Sequence, residues 1–271
     1  MKISLCSIRF REEPIEEVVE RTAQLGYDGT EIVIDHVEDY LKRKGELASL
    51  RDFVHSKGLE IPIIAPAFNF TGTKEELEES MAKAYRCIDY AKALGAPLIR
   101  AFVSKVGSAE ATELQWEQCV SALKELATAA HAKKIAFAIE THPNQLMDTV
   151  QTTLELINRV NSPGLRVLLD IWHLFNEGKA DPVEALHALY PYMVHIHAKN
   201  MVRRPEGNKI VYFEEGDMDY PAFLEALKKT NYDRFISVEW FGEQPWTAAE
   251  HELAYLKRFL EKYRATKSNT R

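Results

Sequence analysis

Residues 135–142 read Ile135-Ala136-Phe137-Ala138-Ile139-Glu140-Thr141-His142, an unbroken apolar run that ends in a carboxylate and, two residues on, an imidazole on the same side of an extended chain. A run without polar alternation marks a strand buried on both faces, as strands of a parallel sheet are. The same unit recurs outward in both directions. Short apolar runs stand at about 2–8, 28–34, 59–65, 97–103, 134–140, 164–170, 192–198 and 233–240. Each precedes a longer amphipathic segment, at roughly 14–25, 45–57, 74–95, 112–132, 148–161, 181–190, 219–230 and 246–264. Strict strand-helix alternation implies a parallel sheet covered by helices, and eight such units close it into a filled barrel. The sequence therefore predicts a single-domain α/β chain, a (β/α)8 TIM barrel over residues 1–264, with 265–271 as a flexible tail.

Punctuation agrees with these boundaries. Pro14 stands at the first turn of a helix, Gly26, Gly58 and Gly95 follow helix ends, and Asp181-Pro182 pairs an N-cap with proline at the next position. A doubly wound open sheet is the competing architecture, but no glycine-rich phosphate loop follows the first run. The length of 271 residues suits one barrel, and 46% hydrophobic with 28% charged residues is ordinary globular usage.

Composition also narrows the partners. A net charge of −7 and a pI of about 5.8 argue against a nucleic-acid surface, which needs clustered Lys and Arg. No apolar run is long enough to span a membrane, and the stretch Lys2-Ile3-Ser4-Leu5-Cys6-Ser7-Ile8 is too short for a secretory signal, so a cytoplasmic protein is expected. Cys6, Cys87 and Cys119 are odd in number and lack the close spacing of zinc or redox motifs; they read as reduced core residues. A small-molecule substrate is the implied partner, with a homo-oligomer compatible.

In a barrel the active site is built at the C-terminal ends of the strands. Four consecutive runs deliver polar groups there: Glu140 and His142; Asp170 and His173 in Leu168-Leu169-Asp170-Ile171-Trp172-His173; His195, His197 and Lys199 in His195-Ile196-His197-Ala198-Lys199-Asn200; and Glu239 in Ile236-Ser237-Val238-Glu239-Trp240. Any one could be a satisfied structural group. Together, two Glu, an Asp and a His in one low-dielectric mouth would cost several kcal/mol per unpaired charge. A divalent cation removes that cost, and carboxylates plus one imidazole without thiolate suit Mn²⁺ or Mg²⁺, with Zn²⁺ and Co²⁺ compatible. His195 and His197 share one face, so spacing alone does not choose between them.

The pattern resembles the xylose isomerase-like TIM-barrel superfamily of sugar-phosphate isomerases, epimerases and related lyases over nearly the whole chain. The resemblance implies metal ligation by Glu140, Asp170, His197 and Glu239, with His173 three residues after the Asp and Arg203 six after the ligand His. Within that superfamily the chain is most similar to bacterial 3-dehydroshikimate dehydratases of siderophore biosynthesis. The matching stretches are Met1-Lys2-Ile3-Ser4-Leu5-Cys6, Gly107-Ser108-Ala109, Glu140-Thr141-His142-Pro143-Asn144 with Asp148-Thr149, Asp181-Pro182-Val183, His197-x-Lys199-Asn200 and Glu239-Trp240-Phe241-Gly242. Ketose epimerases carry a second Glu six residues after the first ligand, where this chain has Leu146. The dehydratases also carry a tyrosine near the end of strand three, where this chain reads Ala65-Pro66-Ala67-Phe68-Asn69.

What the resemblance implies is a metal-dependent lyase acting by enolisation, dehydrating 3-dehydroshikimate to 3,4-dihydroxybenzoate. A metal polarises the ketone, and His142 is the leading base because it titrates near neutral pH on the face of Glu140. His173 or Lys199 would protonate the leaving group. Arg100, ending its strand in Leu98-Ile99-Arg100-Ala101, could hold a substrate carboxylate or pair with Glu140 or Glu31. Lys105 and Arg203 are further cations, Glu31 and His36 a polar wall, and Trp172 and Trp240 linings of the pocket. The alternative is a metal-dependent sugar or sugar-phosphate isomerase or epimerase using Glu140 and Glu239 as bases. A DNA-repair endonuclease on the same barrel would need more His ligands and a basic groove, and a non-catalytic binding barrel would not need this mouth.

Overall fold

The structure is a computed structural model and describes residues 1–176 and 180–268, with side chains through Glu261. Eight parallel strands close into a barrel: β1 (Lys2–Cys6), β2 (Gly29–Val33), β3 (Ile63–Ala65), β4 (Leu98–Ala101), β5 (Ala136–Glu140), β6 (Leu165–Asp170), β7 (Met193–Ala198) and, after a small hairpin, β10 (Phe235–Val238), which pairs back onto β1. The helices are α1 (Ile15–Leu25), α2 (Ile34–Lys44), α3 (Leu47–Ser56), α4 (Lys74–Leu94), α5 (Glu113–Ala132), α6 (Val150–Val160), α7 (Ile171–Asn176), α8 (Pro182–Leu189), α9 (Tyr220–Lys229) and α10 (Pro245–Ser268).

Local chemistry explains the ends of these elements. Thr73 and Thr112 close capping boxes with Glu76 and Gln115, and Asp181 accepts from the N–H groups of Val183 and Glu184 with Pro182 just inside the helix. Gly26 and Gly95 end α1 and α4 at φ of 86° and 71°, conformations where a Cβ is penalised. Most of the core lies between sheet and helices, with Cys87 and Cys119 free and buried within it, while Cys6, also free and buried, packs with Val33 and Ala65 in a separate small cluster.

Inside the barrel, alternation sorts the side chains into layers. Ile63, Leu98, Ala138, Leu168 and Val194 form a separate apolar cluster. Two residues further along the same strands come Ala65, Arg100, Glu140 and Asp170, one pleat nearer the C-terminal mouth. Asp170 pairs with His197, and His197 with Ser237, so three strands present polar groups in one row.

Three elements were not foreseen. α2 follows β2 directly, and Gly45 at φ 80° separates it from α3, so the segment before 45 is helix rather than loop. α7 starts at the residue after Asp170. A two-stranded antiparallel hairpin, β8 (Asn200–Val202) and β9 (Lys209–Val211), occupies the loop after β7. α10 runs through Ser268, past the boundary at 264 read from the sequence; residues 269–271 lie outside the described residues. Among the described residues no helix is long and apolar enough to cross a membrane.

Candidate active site at the barrel mouth

The carboxylates converge because β5, β6, β7 and β10 are neighbours, each ending at the same rim. Ligand atoms of Glu140, Asp170, His197 and Glu239 all lie within 4.8 Å of one another, and each side chain is at most 2% exposed. Glu31, from β2, joins them from below. Four buried carboxylates, Glu31, Glu140, Asp170 and Glu239, thus face two buried cations, Arg100 and Lys199, which leaves two negative charges if the imidazoles are neutral. That is the charge of one divalent cation, and the donor set of three carboxylates and one imidazole fits a hard ion.

The protonation pattern reports the same imbalance. Burial raises the Asp170 carboxyl, as do Glu140 and Glu239, and against the pull of Lys199 it is pushed up to about 6. Burial would lower the His197 imidazole, but Glu31, Glu239 and Glu140 hold it well above its ordinary value. A proton on His197 and a bridging Lys199 ammonium, bonded to both Asp170 and Glu239, supply positive charge amid the carboxylates.

The two histidines of β7 separate geometrically. His197 Nε2 lies 3.0 Å from both oxygens of Glu31, while its Nδ1 faces Glu140 at 3.1 Å, Glu239 at 3.6 Å and Asp170 at 4.0 Å. A carboxylate behind the distal nitrogen is the arrangement that orients a metal-binding imidazole. His195 instead meets Ser237 Oγ at 2.8 Å and Glu31 at 3.3 Å, below the carboxylate cluster.

A cavity of about 300 Å³ opens above the cluster, lined by Arg100, Glu140, His142, His173, Lys199 and Glu239, with Arg11, Phe102, Met201 and Phe241 at its sides. Larger hollows at the opposite end of the barrel, around Lys2 and Phe235, and beside Trp240 hold none of these carboxylates. His142 Nδ1 donates to the Pro143 carbonyl at 2.8 Å; a carbonyl only accepts, so Nδ1 carries a proton and, in the neutral imidazole, Nε2 is the atom with the lone pair. The ring packs on Phe102 and on His173, with centroids 4.6 and 4.1 Å away. Gln145 in the same loop accepts from the N–H groups of Val103 and Ser104 and donates to the Ser104 carbonyl, tying the loop after β5 to that after β4. Burial above all, and then the nearby Lys199 ammonium, push the His173 imidazole well below its ordinary value, keeping it neutral.

A family model described as "Xylose isomerase-like TIM barrel" matches residues 19–259. The chain belongs to that family. Among the relatives of this barrel is the 3-dehydroshikimate dehydratase of Bacillus anthracis, 29% identical over 94% of this chain and 96% of its own. The crystal structure of the "probable 3-DHS dehydratase" involved in petrobactin synthesis from that organism superposes with a TM-score of 0.85 at 27% identity, covering 95% of this chain and 99% of the other. A "probable ketose 3-epimerase" of Synechocystis is 25% identical over 84% of this chain and 78% of its own.

Several residues read from the sequence as substrate contacts lie elsewhere. His36 is on α2, its Nδ1 at 3.0 Å from Ser7 Oγ and its Nε2 at 3.1 Å from the carbonyls of Phe10 and Glu13, a satisfied structural group. Glu31 is fully buried behind His197 rather than part of a substrate wall. Lys105 is exposed and meets Glu76 at 3.7 Å, and Arg203 is exposed beside Asp217 with its guanidinium over Phe175. Trp172 is buried against Phe175. Arg100 does line the mouth, but its guanidinium is bound to Glu140 at 2.9 Å and stacked on Phe102, the ion-pair alternative. Arg11, which follows the 3-10 turn Ser7–Phe10 after β1, was missed; it sat among Arg9, Glu12 and Glu13 and carried no signal beyond charge. It lines the cavity, with an exposed Asp35 at 2.8 Å.

Proposed function

We propose that this chain is a divalent-metal-dependent lyase of the cytoplasm that dehydrates 3-dehydroshikimate to 3,4-dihydroxybenzoate. The observation that carries the reading is His142: an imidazole whose Nδ1 donates to a carbonyl, which makes Nε2 the basic atom of its neutral form, beside a buried cluster of three carboxylates and one imidazole. A divalent ion, Mn²⁺ or Mg²⁺ by donor hardness, would be held by Glu140, Asp170, His197 and Glu239 and would supply Lewis-acid polarisation of the ketone.

The residues then divide the work. His142 Nε2 removes the proton from the carbon beside the ketone, and the C–H electron pair forms the enolate. That pair expels the β-hydroxyl, and Lys199, kept as an ammonium by Asp170 and Glu239, donates to it; departing hydroxide is a strong enough base to take the proton. One water leaves, and tautomerisation gives the aromatic catechol. Neutral His173 packs at a tilt of 55° against the His142 ring and limits its rotation. Arg100 is paired with buried Glu140, whereas the Asp35 partner of Arg11 at the rim is exposed and can be displaced, so Arg11 would hold the substrate carboxylate.

The alternative, a metal-dependent isomerase or epimerase of a polyhydroxylated ketose, is weakened by Leu146, which is buried in the core where those epimerases place a second Glu. The test is to supply metal-loaded protein with 3-dehydroshikimate and, separately, with free ketoses. Catechol absorbance should rise only with the first. His142→Ala should then lose about 10²–10⁴ in kcat at unchanged metal content, the usual share of a general base. Ketose epimerisation without catechol formation would replace the lyase with the isomerase.

A further inference from the structure

Among the described residues, a group of metal-competent side chains comes together away from the mouth and from the Glu31, His195 and His197 group beneath it. Glu214 follows β9, His251 and Glu252 lie on α10, and one ligand atom from each falls within 4.8 Å of the others. Glu252 is 1% exposed; its Oε1 accepts from the Phe213 N–H at 3.1 Å, but its Oε2 has no partner. His251 Nδ1 is also buried without a partner, and the two orphaned atoms face each other at 3.8 Å. That gap is too long for a hydrogen bond. It matches two atoms each about 2.1 Å from a shared zinc ion. Glu214 Oε1, on the solvent side, is 3.3 Å from His251 Nε2 and can swing toward the same point.

We propose that Glu214, His251 and Glu252 form a second divalent-cation site, best suited to zinc, that fastens the β8–β9 hairpin to α10. One imidazole and two carboxylates leave a coordination position for water. Tyr212 stacks on the His251 ring at 3.9 Å and on Trp240 at 5.6 Å, so the ion would brace the wall that carries Met201 and Phe241 at the mouth. It shares no residue with the mouth cluster.

The test is zinc stoichiometry, measured by elemental analysis after chelator stripping, reloading with zinc and gel filtration. His251→Ala should retain one equivalent fewer than wild type, whatever the mouth itself retains. Glu214→Gln alters an exposed side chain and should weaken the same equivalent by at least about tenfold. Zinc addition should change tryptophan emission in wild type and in Asp170→Asn, whose mouth cluster is impaired, but not in His251→Ala. Equal zinc content in wild type, His251→Ala and Glu214→Gln would overturn the proposal.

Discussion

Two layers inside the barrel are made by the same strands and serve opposite ends. Leu98, Ala138 and Leu168 belong to an apolar plug, while Arg100, Glu140 and Asp170, each two residues later, belong to the charged layer. Alternation places both sets inward, so residue type rather than backbone decides what each layer does. The plug removes apolar surface from water and stabilises the barrel. In the charged layer four carboxylates surround two cations, an arrangement that burial alone would never favour. The difference teaches that the upper layer is held by pairwise compensation and the lower one by packing.

That contrast can be broken at particular residues. The largest effect is expected for Arg100→Met, which strips Glu140 of its guanidinium: losing one partner of a buried pair should cost about 3–5 kcal/mol, seen as a fall in Tm of the metal-free protein. An unchanged Tm would mean that the layer does not depend on this pairing. Leu168→Ala in the plug should cost about 2–5 kcal/mol while leaving kcat per folded molecule near wild type. A selective loss of kcat without loss of Tm would erase the distinction between the layers.

Smaller effects are expected at the margins. Arg11→Met should raise KM for a carboxylate substrate by about tenfold, worth about 1.4 kcal/mol, with kcat unchanged, because an exposed rim cation binds ground and transition states alike. A kcat effect would instead place Arg11 in the chemistry. His36 should give the mildest signal. Burial lowers its folded pKa below the ordinary value, so the folded state holds fewer protons than the unfolded one. Its stabilisation is complete above about pH 6.5 and is lost as pH falls below that value. The decline of Tm between pH 7.5 and 5 should therefore be shallower in His36→Gln than in wild type, and parallel curves would contradict the assignment.

The strand pattern was readable because each parallel strand is a continuous apolar run ending in a chemically distinct residue; Glu140, Asp170, His197 and Glu239 could be placed at one rim from periodicity and family resemblance. Register across strands was not readable. Hence Glu31 looked like a pocket wall, although closure of β2 onto β1 puts it behind His197. His36 and the helix that carries it were misread because the apolar face Ile34, Val37 and Tyr40 is short and ends at Gly45. Long cations were the least legible: Lys105 and Arg203 end up with partners outside the cavity, while Arg11 reaches it from a turn. Glu252 was hidden because its position on a long amphipathic helix reads as ordinary surface.

The central claim is that the charged layer is balanced by one divalent ion held at the mouth, and thermal unfolding of chelator-treated protein titrated with Mn²⁺ tests it most directly. An ion that binds the folded state alone raises Tm with concentration, by about 2.7 kcal/mol at a hundredfold excess over Kd. With His251→Ala as the common background, so that the second site is removed, the account predicts that rise when the mouth is otherwise intact and when His142→Ala is added, and its loss when Asp170→Asn is added. A rise of equal size with Asp170→Asn added, or none with the mouth intact, would contradict it.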